Sequence, residues 1–217
     1  MFKPNSHKIM GVVALASLIG LVFSAVVAAE GKNPNFFYFS EGKLVGDWRF
    51  QVGDPGNWGL NIDDLTGRSK NGKLEVMPDR YKADGDAIRG VWSRKKEKGE
   101  LKLVASSKDL SAAKDVGALA FTLKMNKKPK GGVSVAIDCN WPCRAEVNIS
   151  RQLRKKKTGE WFVFPIPLNC FQSDNFDLSK VNGFMIATDN KMDLSVADVS
   201  LIRMPEGDPG CVEEEAK

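Results

Sequence analysis

The stretch Gly131–Cys143, with the sequence GGVSVAIDCNWPC, indicates which fold class this chain adopts. Its first half alternates valine and isoleucine with smaller or polar residues, a period of two that is typical of a strand with one buried face. The strand runs into Cys139 and Cys143, which enclose an Asn-Trp-Pro turn. If these cysteines are bonded, the segment forms a stiff loop that carries Trp141 near its tip.

The same alternation recurs along the chain, with turn-forming residues between the apolar runs. No segment longer than about twelve residues has a helical period, so single helical turns are expected only near 109–115 and 150–154. The sequence therefore predicts an all-β fold, a single β-sandwich of about eight to ten strands. The predicted strands are Asp47–Val52, Trp58–Ile62, Lys73–Met77, Asp86–Ser93, Leu101–Ala105, Ala118–Met125, Ala145–Ile149, Trp161–Leu168, Phe184–Thr188 and Leu194–Ile202.

Three local patterns give finer predictions. Asp86–Ser93 and Leu101–Ala105 flank a charged turn and are predicted to form a hairpin. Trp161–Leu168 is predicted to be an edge strand, because Pro165 and Pro167 cannot donate ladder hydrogen bonds. The tryptophans predicted to lie in the core are Trp48, Trp92 and Trp161. The side chains predicted to share one face of the last strand are Ser195, Ala197, Val199 and Leu201.

Residues 1–29 have the pattern of an export signal. A short basic start precedes the uncharged run Ile9–Ala29, which ends on the small residues Val27-Ala28-Ala29. The alternative is an uncleaved membrane anchor, because the apolar run approaches the length of a membrane span. We predict a signal peptide at 1–29, an N-terminal extension at 30–47, a sandwich domain at 48–203 and a flexible tail at 204–217. The domain is then periplasmic or secreted, with no membrane span after cleavage.

Charge and histidine content exclude several functions. The formal net charge of +5 falls to +3 without Lys3 and Lys8, which is too small to indicate a nucleic-acid partner. The only histidine is His7, inside the predicted signal peptide. The mature region therefore lacks the base of a serine or cysteine triad and any histidine ligand for a metal.

Four cysteines follow the predicted signal peptide: Cys139, Cys143, Cys170 and Cys211. In an exported protein, cysteines are bridged more often than they bind metal. We predict a local bridge between Cys139 and Cys143, while Cys170 and Cys211 either pair or stay free. A four-cysteine zinc site is the alternative.

The second half of the chain carries a run of motifs in a recognisable order. These are Asp109–Ser111, Gly117–Phe121, Cys139–Cys143, Gly159–Trp161, Phe164–Phe171, Asp177–Val181 and Leu194–Leu201, preceded by Gly85–Ala87 and Trp92. This order resembles the galactose-binding-like, carbohydrate-binding-type sandwich at the C-terminus of bacterial family 3 exo-β-glucanases, over residues 48–203. The resemblance implies a jelly-roll, galactose-binding-like fold and an association with glycans. Since those enzymes carry catalysis in other domains, it does not imply glucanase activity.

Sugar rings are bound where an aromatic face meets their C–H face and polar groups fix their hydroxyls. Trp141 and Trp58 are the predicted stacking residues, because both lie beside turn residues. Asn140, Asp138 and Asn57 are predicted to supply hydrogen bonds. The alternatives are that the rings fold back onto the sandwich and that the polar side chains cap turns.

Other charged groups suggest weaker sites. The basic runs Arg94–Lys98, Lys127–Lys130 and Arg151–Lys157 fall at strand connections. They are either solvated turns or a cluster at one end that attracts an anionic glycan or lipid headgroups. A structural calcium ion is a further option at the carboxylates of Asp84, Asp86 and Asp198, without a recognisable calcium loop.

Together these features predict a non-catalytic, exported, carbohydrate-binding-like module whose partner is a glycan or polysaccharide, with no other cofactor. The alternative is a structural or protein-interaction module of an envelope enzyme or complex. A hydrolase that uses only carboxylates is the third hypothesis, although no pair among the 27 acidic residues stands out.

Overall fold

The computed structural model describes residues 32–211, so the predicted signal peptide lies outside the described residues. These form fourteen strands, one short helix α1 (Ser150–Lys155), and 3₁₀ turns at Ser111–Ala113, Leu168–Cys170 and Leu178–Lys180. No helix in this part of the chain is long and apolar enough to cross a membrane. The strands are β1 (Phe37–Ser40), β2 (Lys43–Leu44), β3 (Arg49–Asp54), β4 (Asn57–Asn61), β5 (Gly67–Arg68), β6 (Leu74–Arg80), β7 (Asp84–Trp92), β8 (Gly99–Lys108), β9 (Gly117–Lys127), β10 (Ser134–Asp138), β11 (Arg144–Asn148), β12 (Trp161–Pro167), β13 (Val181–Thr188) and β14 (Met192–Arg203).

The strands form two antiparallel sheets that enclose the core. The eight-stranded sheet has the order β12-β9-β14-β7-β6-β5, with β1 paired to β14 and β2 paired to β1. The six-stranded sheet has the order β11-β10-β13-β8-β3-β4. The predicted all-β sandwich is confirmed, and the strand number exceeds the prediction because short strands such as β2 and β5 have little apolar pattern.

The core lies where the alternation predicts it. On β9 the side chains that point inward are Leu119, Phe121, Leu123 and Met125, all of them buried. Val135 and Ile137 of β10 face them from the other sheet and are fully buried. Burial of each such side chain stabilises the fold by about 1.5–3 kcal/mol, so two facing stripes of this kind hold the sheets together.

The segment 30–47, predicted as an extension, supplies β1 and β2 and covers one side of the core. Tyr38 and Phe39 of β1 are buried. The Tyr38 ring lies 4.8 Å from the Trp48 ring, and Trp48 stacks on Phe184 with a centroid distance of 4.9 Å. Burial raises the pKa of the Tyr38 phenol well above its ordinary value.

The predicted hairpin of β7 and β8 is wrong. β7 pairs with β6 and β14, whereas β8 pairs with β3 and β13 in the other sheet. The charged connection between the two strands therefore crosses from one sheet to the other. Trp92 at the end of β7 is buried, and its indole Nε1 donates to Gly99 O at 2.9 Å, which fixes this crossing.

The predicted faces of the last strand are right for Val199 and Leu201 but wrong for Ser195 and Ala197, because β14 contains a bulge. The register with β9 shifts between Val196 and Asp198, so Ala197 is an additional residue in the ladder. Val196 therefore joins Val199 in the core. Ser195 points away from the core, where its hydroxyl accepts a hydrogen bond from Asn126 Nδ2 at 2.8 Å.

The prediction for the core tryptophans is right for two of three. Trp48 and Trp92 are buried, but Trp161 is half-buried on the outer side of the eight-stranded sheet. Its ring lies 4.9 Å from the Tyr81 ring, and the Lys124 ammonium lies 4.8 Å from its centroid. In β12 the alternate positions, Phe164 and Ile166 among them, face the core instead.

The prediction that β12 is an edge strand is confirmed, since β12 pairs only with β9. The Cys139–Cys143 disulfide is also confirmed. Cys170 and Cys211, which the sequence left open, form a second disulfide with their Cα atoms 4.9 Å apart. The described part of the chain has no free cysteine. This second bridge attaches residues near the C-terminus to the end of β12.

Candidate functional site

Trp58 and Trp141 lie on the same side of the molecule, the outer surface of the six-stranded sheet. Trp141 is 78% exposed and Trp58 is 43% exposed. The Arg144 guanidinium lies 5.3 Å from the Trp141 ring centroid, and the Lys102 ammonium lies 6.0 Å from the Trp58 ring centroid. Both cations contact the carboxylate of Glu100, at 3.4 and 2.7 Å respectively. A continuous chain of contacts thus joins the two rings across this surface, which we call the six-strand face.

Strand alternation places charged residues on the six-strand face. On β8, Leu101 and Leu103 point into the core, so Glu100 and Lys102 point outward. Both are nevertheless buried, because neighbouring side chains cover them. The contact of Glu100 Oε2 with the Lys102 ammonium is ionic rather than a directed hydrogen bond. This geometry fixes both charges in place beneath the surface.

The turn that carries Trp141 is held closed by several bonds. The disulfide joins Cys139 and Cys143, and Cys139 N donates to Cys143 O at 2.9 Å. Asn140 has a positive φ of 67°, a left-handed conformation that asparagine tolerates better than most residues. The Trp141 ring projects outward from this closed turn and does not fold back onto the sandwich.

The hairpin that carries Trp58 is organised by Asp54. This buried carboxylate accepts hydrogen bonds from Gly56 N at 2.8 Å and Asn71 N at 2.6 Å. Burial alone would raise the pKa of Asp54, but these bonds and the Ser69 hydroxyl outweigh it and lower the pKa. A Cβ atom at Gly53 would lie 2.8 Å from Trp58 O, so only glycine fits there.

The middle of the six-strand face is balanced in charge. Ala136, Met185 and Ala187 form a small buried apolar cluster on this outer side. Above it lies a network of charges whose members are Lys98, Lys102, Arg144, Glu100, Asp138 and Glu146. Paired charges of both signs at the surface can bond to the hydroxyl groups of a sugar.

The predicted polar residues lie near the tryptophans but already have partners. Asp138 binds Arg144 through both carboxylate oxygens. Asn140 exchanges hydrogen bonds with Asn182, at 2.8 Å and 3.1 Å. The Asn57 side-chain oxygen accepts from Gly59 N at 2.9 Å, which is turn capping. Their role in ligand binding stays a prediction.

Sequence reasoning missed Glu100, Lys102 and Arg144. A signal existed for β8, where Glu100 and Lys102 alternate with two buried leucines. Nothing in the sequence could show that Arg144, on another strand, reaches the same carboxylate.

The carboxylates considered for calcium have protein partners. Asp86 accepts hydrogen bonds from the backbone N–H groups of three residues, Tyr81, Lys82 and Ala83. Asp198 accepts from the Ser40 hydroxyl, and Asp84 lies 3.4 Å from Arg80. Within residues 32–211 no group of three acidic, histidine or cysteine side chains is placed to hold a metal ion.

The family model Exop_C, described as galactose-binding domain-like, matches residues 47–201, and the chain belongs to this family. The resemblance predicted from the motif order is therefore confirmed. A comparison with curated proteins finds no match.

Solved structures share the fold at low sequence identity. The chain is similar to the extra C-terminal domain of exo-1,3/1,4-β-glucanase (ExoP) from a Pseudoalteromonas species, with a TM-score of 0.63 and 17% identity over 82% of this chain and 99% of that domain. Against the larger ExoP structure the TM-score is 0.65 at 17% identity, and the match covers 80% of this chain but 21% of that one. A family 30 carbohydrate-binding module of a Clostridium thermocellum cellulase has a TM-score of 0.53 at 15% identity, over 80% of this chain and 98% of the module. The fold is thus that of carbohydrate-binding modules.

Proposed function

We propose that this chain binds a glycan on the six-strand face, between Trp58 and Trp141, and that it does so without catalysis. The observation that carries the proposal is that both exposed rings lie on one face and are joined through Lys102, Glu100 and Arg144. Aromatic rings of this kind stack on the C–H faces of sugars. The more exposed charges of the same network, Lys98, Arg144 and Glu146, can donate to and accept from hydroxyl groups.

The balance of charge on this face favours a neutral, hydroxyl-rich ligand. Arg144 and Lys102 are neutralised by Asp138 and Glu100, so the face carries little net field. An anionic ligand would gain little from cations that are already paired, whereas sugar hydroxyls can bond to both signs of charge. We therefore propose a neutral β-glucan as the ligand class.

The likeness to carbohydrate-binding modules and to the ExoP domain supports this proposal. The lack of histidine after His7 supports a binding role over acid–base catalysis. Two disulfides support a periplasmic or secreted location, because such bonds persist in oxidising compartments.

The proposal is tested by calorimetric titration of residues 32–217, a compact unit with its own core, with mixed-linkage β-glucan oligosaccharides. We expect saturable binding, and a loss of affinity of about tenfold in Trp141→Ala and in Trp58→Ala. Trp161→Ala is the matched control, since that ring lies on the other sheet. It should bind like the parent chain.

No heat of binding with any of a panel of neutral glycans would contradict the proposal. Equal losses in Trp141→Ala and Trp161→Ala would contradict the location of the site. In either case a pull-down from an envelope extract would test the alternative, a module that binds an envelope protein.

A further inference from the structure

One end of the sandwich collects most of the basic residues. Pairing of Trp92 with Met192, and of Lys127 with Asp193, places the connections β7–β8, β9–β10 and β13–β14 at the same end. Pairing of Gly99 with Thr188 places the start of β8 there too. Helix α1 joins them, because Ile149 N, at its start, donates to Val133 O. We call this surface the basic end.

The basic end carries a large excess of positive charge. Acidic residues at or beside it, outside the hydrophobic core, are Asp54, Glu97, Glu100, Glu146, Glu160, Asp189 and Asp193, half as many as its cations. Its exposed or half-buried cations are Lys70, Arg94, Lys95, Lys96, Lys98, Lys127, Lys128, Lys130, Arg151, Arg154, Lys155, Lys156, Lys157 and Lys191. Within the described residues only Lys98 and Lys157 of this set form ion pairs with carboxylates. The three predicted basic runs therefore do gather at one end.

The connections of the basic end are held in place by a buried lysine. Lys73 is fully buried, and its ammonium donates to the backbone carbonyls of Ser93, Lys95, Asp189 and Asn190. These carbonyls belong to two different connections, β7–β8 and β13–β14. The cations they carry are thus presented from fixed backbone positions rather than from free loops.

The opposite end is acidic and holds both ends of the described chain. Leu201 N, near the end of β14, donates a hydrogen bond to Phe36 O, near the start of the described chain. At the other end of the described chain, Cys211 forms a disulfide with Cys170, which follows β12. Acidic side chains there are Asp47, Asp63, Asp64, Asp109, Asp115, Asp174, Asp177, Glu206 and Asp208, and the cations among them are Arg49, Lys108, Lys114, Lys180 and Arg203. Positive charge is therefore concentrated at the basic end, while the opposite end has only a small acidic excess. The basic end stays clear of both ends of the described chain.

We propose that the basic end binds an acidic polysaccharide, one that carries repeated carboxylate or sulfate groups. Cations that are spread over several connections can contact a polymer that presents many anions, whereas a single small anion would contact only a few of them. Of the large apolar side chains exposed in the described part, only Trp58 and Val163, which shares a groove with Lys155 and Lys156, adjoin this end, so little is available to insert into a bilayer. Trp58 instead links this end to the six-strand face. The proposal stands on the charge distribution and does not require the neutral glycan site.

The test compares two variants of residues 32–217 that lose the same number of charges. The basic-end variant carries Lys96→Gln, Lys128→Gln, Lys130→Gln and Lys155→Gln. The control variant carries Lys43→Gln, Lys82→Gln, Lys114→Gln and Arg203→Gln, all away from the basic end. Binding to dextran sulfate, polygalacturonate and neutral dextran is measured at low and high salt, together with vesicles of equimolar phosphatidylglycerol and phosphatidylcholine.

We expect the parent chain to bind both acidic polymers, less tightly as salt rises, and not to bind neutral dextran. The basic-end variant should lose affinity by about tenfold or more, and the control variant by less than about twofold. Equal losses in the two variants, or no binding to either polymer, would overturn the proposal. Binding to the vesicles but to neither polymer would overturn it in favour of a lipid surface. Loss of neutral-glucan binding through Trp141→Ala, with polyanion binding unchanged, would show that the two sites are separate.

Discussion

Arg144 binds Asp138 through two hydrogen bonds, from Nε to Oδ1 at 2.5 Å and from Nη2 to Oδ2 at 3.1 Å. Because the same guanidinium lies over the Trp141 ring, one side chain fixes both the β10–β11 pair and the aromatic group at its tip. We expect Arg144→Gln to lower the free energy of unfolding by about 1–3 kcal/mol, since Asp138 and Glu100 lose a partner in a partly buried site. Urea denaturation measures this. The exposed Arg203→Gln is the control, and an equal effect would contradict the role given to Arg144.

The four carbonyls around Lys73 make this residue important for stability. Lys73→Met removes their donor while keeping most of the side-chain volume, and we expect it to lower the free energy of unfolding by about 2–4 kcal/mol. Lys70→Met, three positions away and exposed, should change it by less than about 0.5 kcal/mol. Chemical denaturation of both variants checks this. Similar free energies of unfolding for the two variants would contradict this role of Lys73, because they would indicate that water replaces its ammonium as the donor to the carbonyls.

Acid should destabilise the domain through its buried carboxylates. Burial opposes ionisation of Asp54 and Asp86, but hydrogen bonds from backbone N–H groups outweigh burial and lower the pKa of both. The folded state then binds fewer protons than the unfolded state at acid pH. Their stabilisation is therefore complete above the ordinary carboxyl pKa of about 4 and is lost as the pH falls through the lower folded pKa.

We expect the urea midpoint to fall between pH 7 and pH 3, and Asp54→Asn to reduce that fall while lowering stability at pH 7. A midpoint that does not depend on pH would contradict this account of the two carboxylates.

Removal of the two disulfides should have different effects on stability and on glycan binding. The Cys170–Cys211 bond closes a loop of 41 residues, and its removal with serine at both positions should lower the free energy of unfolding by about 4 kcal/mol. The Cys139–Cys143 bond spans only four residues, so its removal should cost about 2 kcal/mol. It should, however, weaken glycan binding because Trp141 loses its fixed turn. Urea denaturation and glycan titration of both double serine variants measure the two effects separately. A larger loss of stability on removing Cys139–Cys143 than on removing Cys170–Cys211 would contradict this prediction.

Local patterns in the sequence predict much of this fold. The alternation in β9 and β10 predicts their core faces, because a period of two needs no knowledge of the partner strand. The prolines of β12 predict an edge strand for a similarly local reason, the missing backbone donors.

Features that depend on distant pairing were not predictable. The connection after Trp92 looks like a hairpin turn, and only the sheet partners of β7 and β8 show that it crosses between sheets. The bulge at Ala197 inverts the expected faces of the residues before it, without any glycine or proline to mark it. The contact of Arg144 with Glu100 likewise joins strands that are not adjacent in the sheet.

The glycan-binding claim is tested most directly by the indole N–H signals of the five tryptophans, followed by NMR during titration with a β-glucan oligosaccharide. We expect the signals of Trp58 and Trp141 to shift with the same saturation curve, whereas those of Trp48, Trp92 and Trp161 stay in place. Shifts confined to Trp161, or none at a ligand excess that saturates related modules, would contradict it.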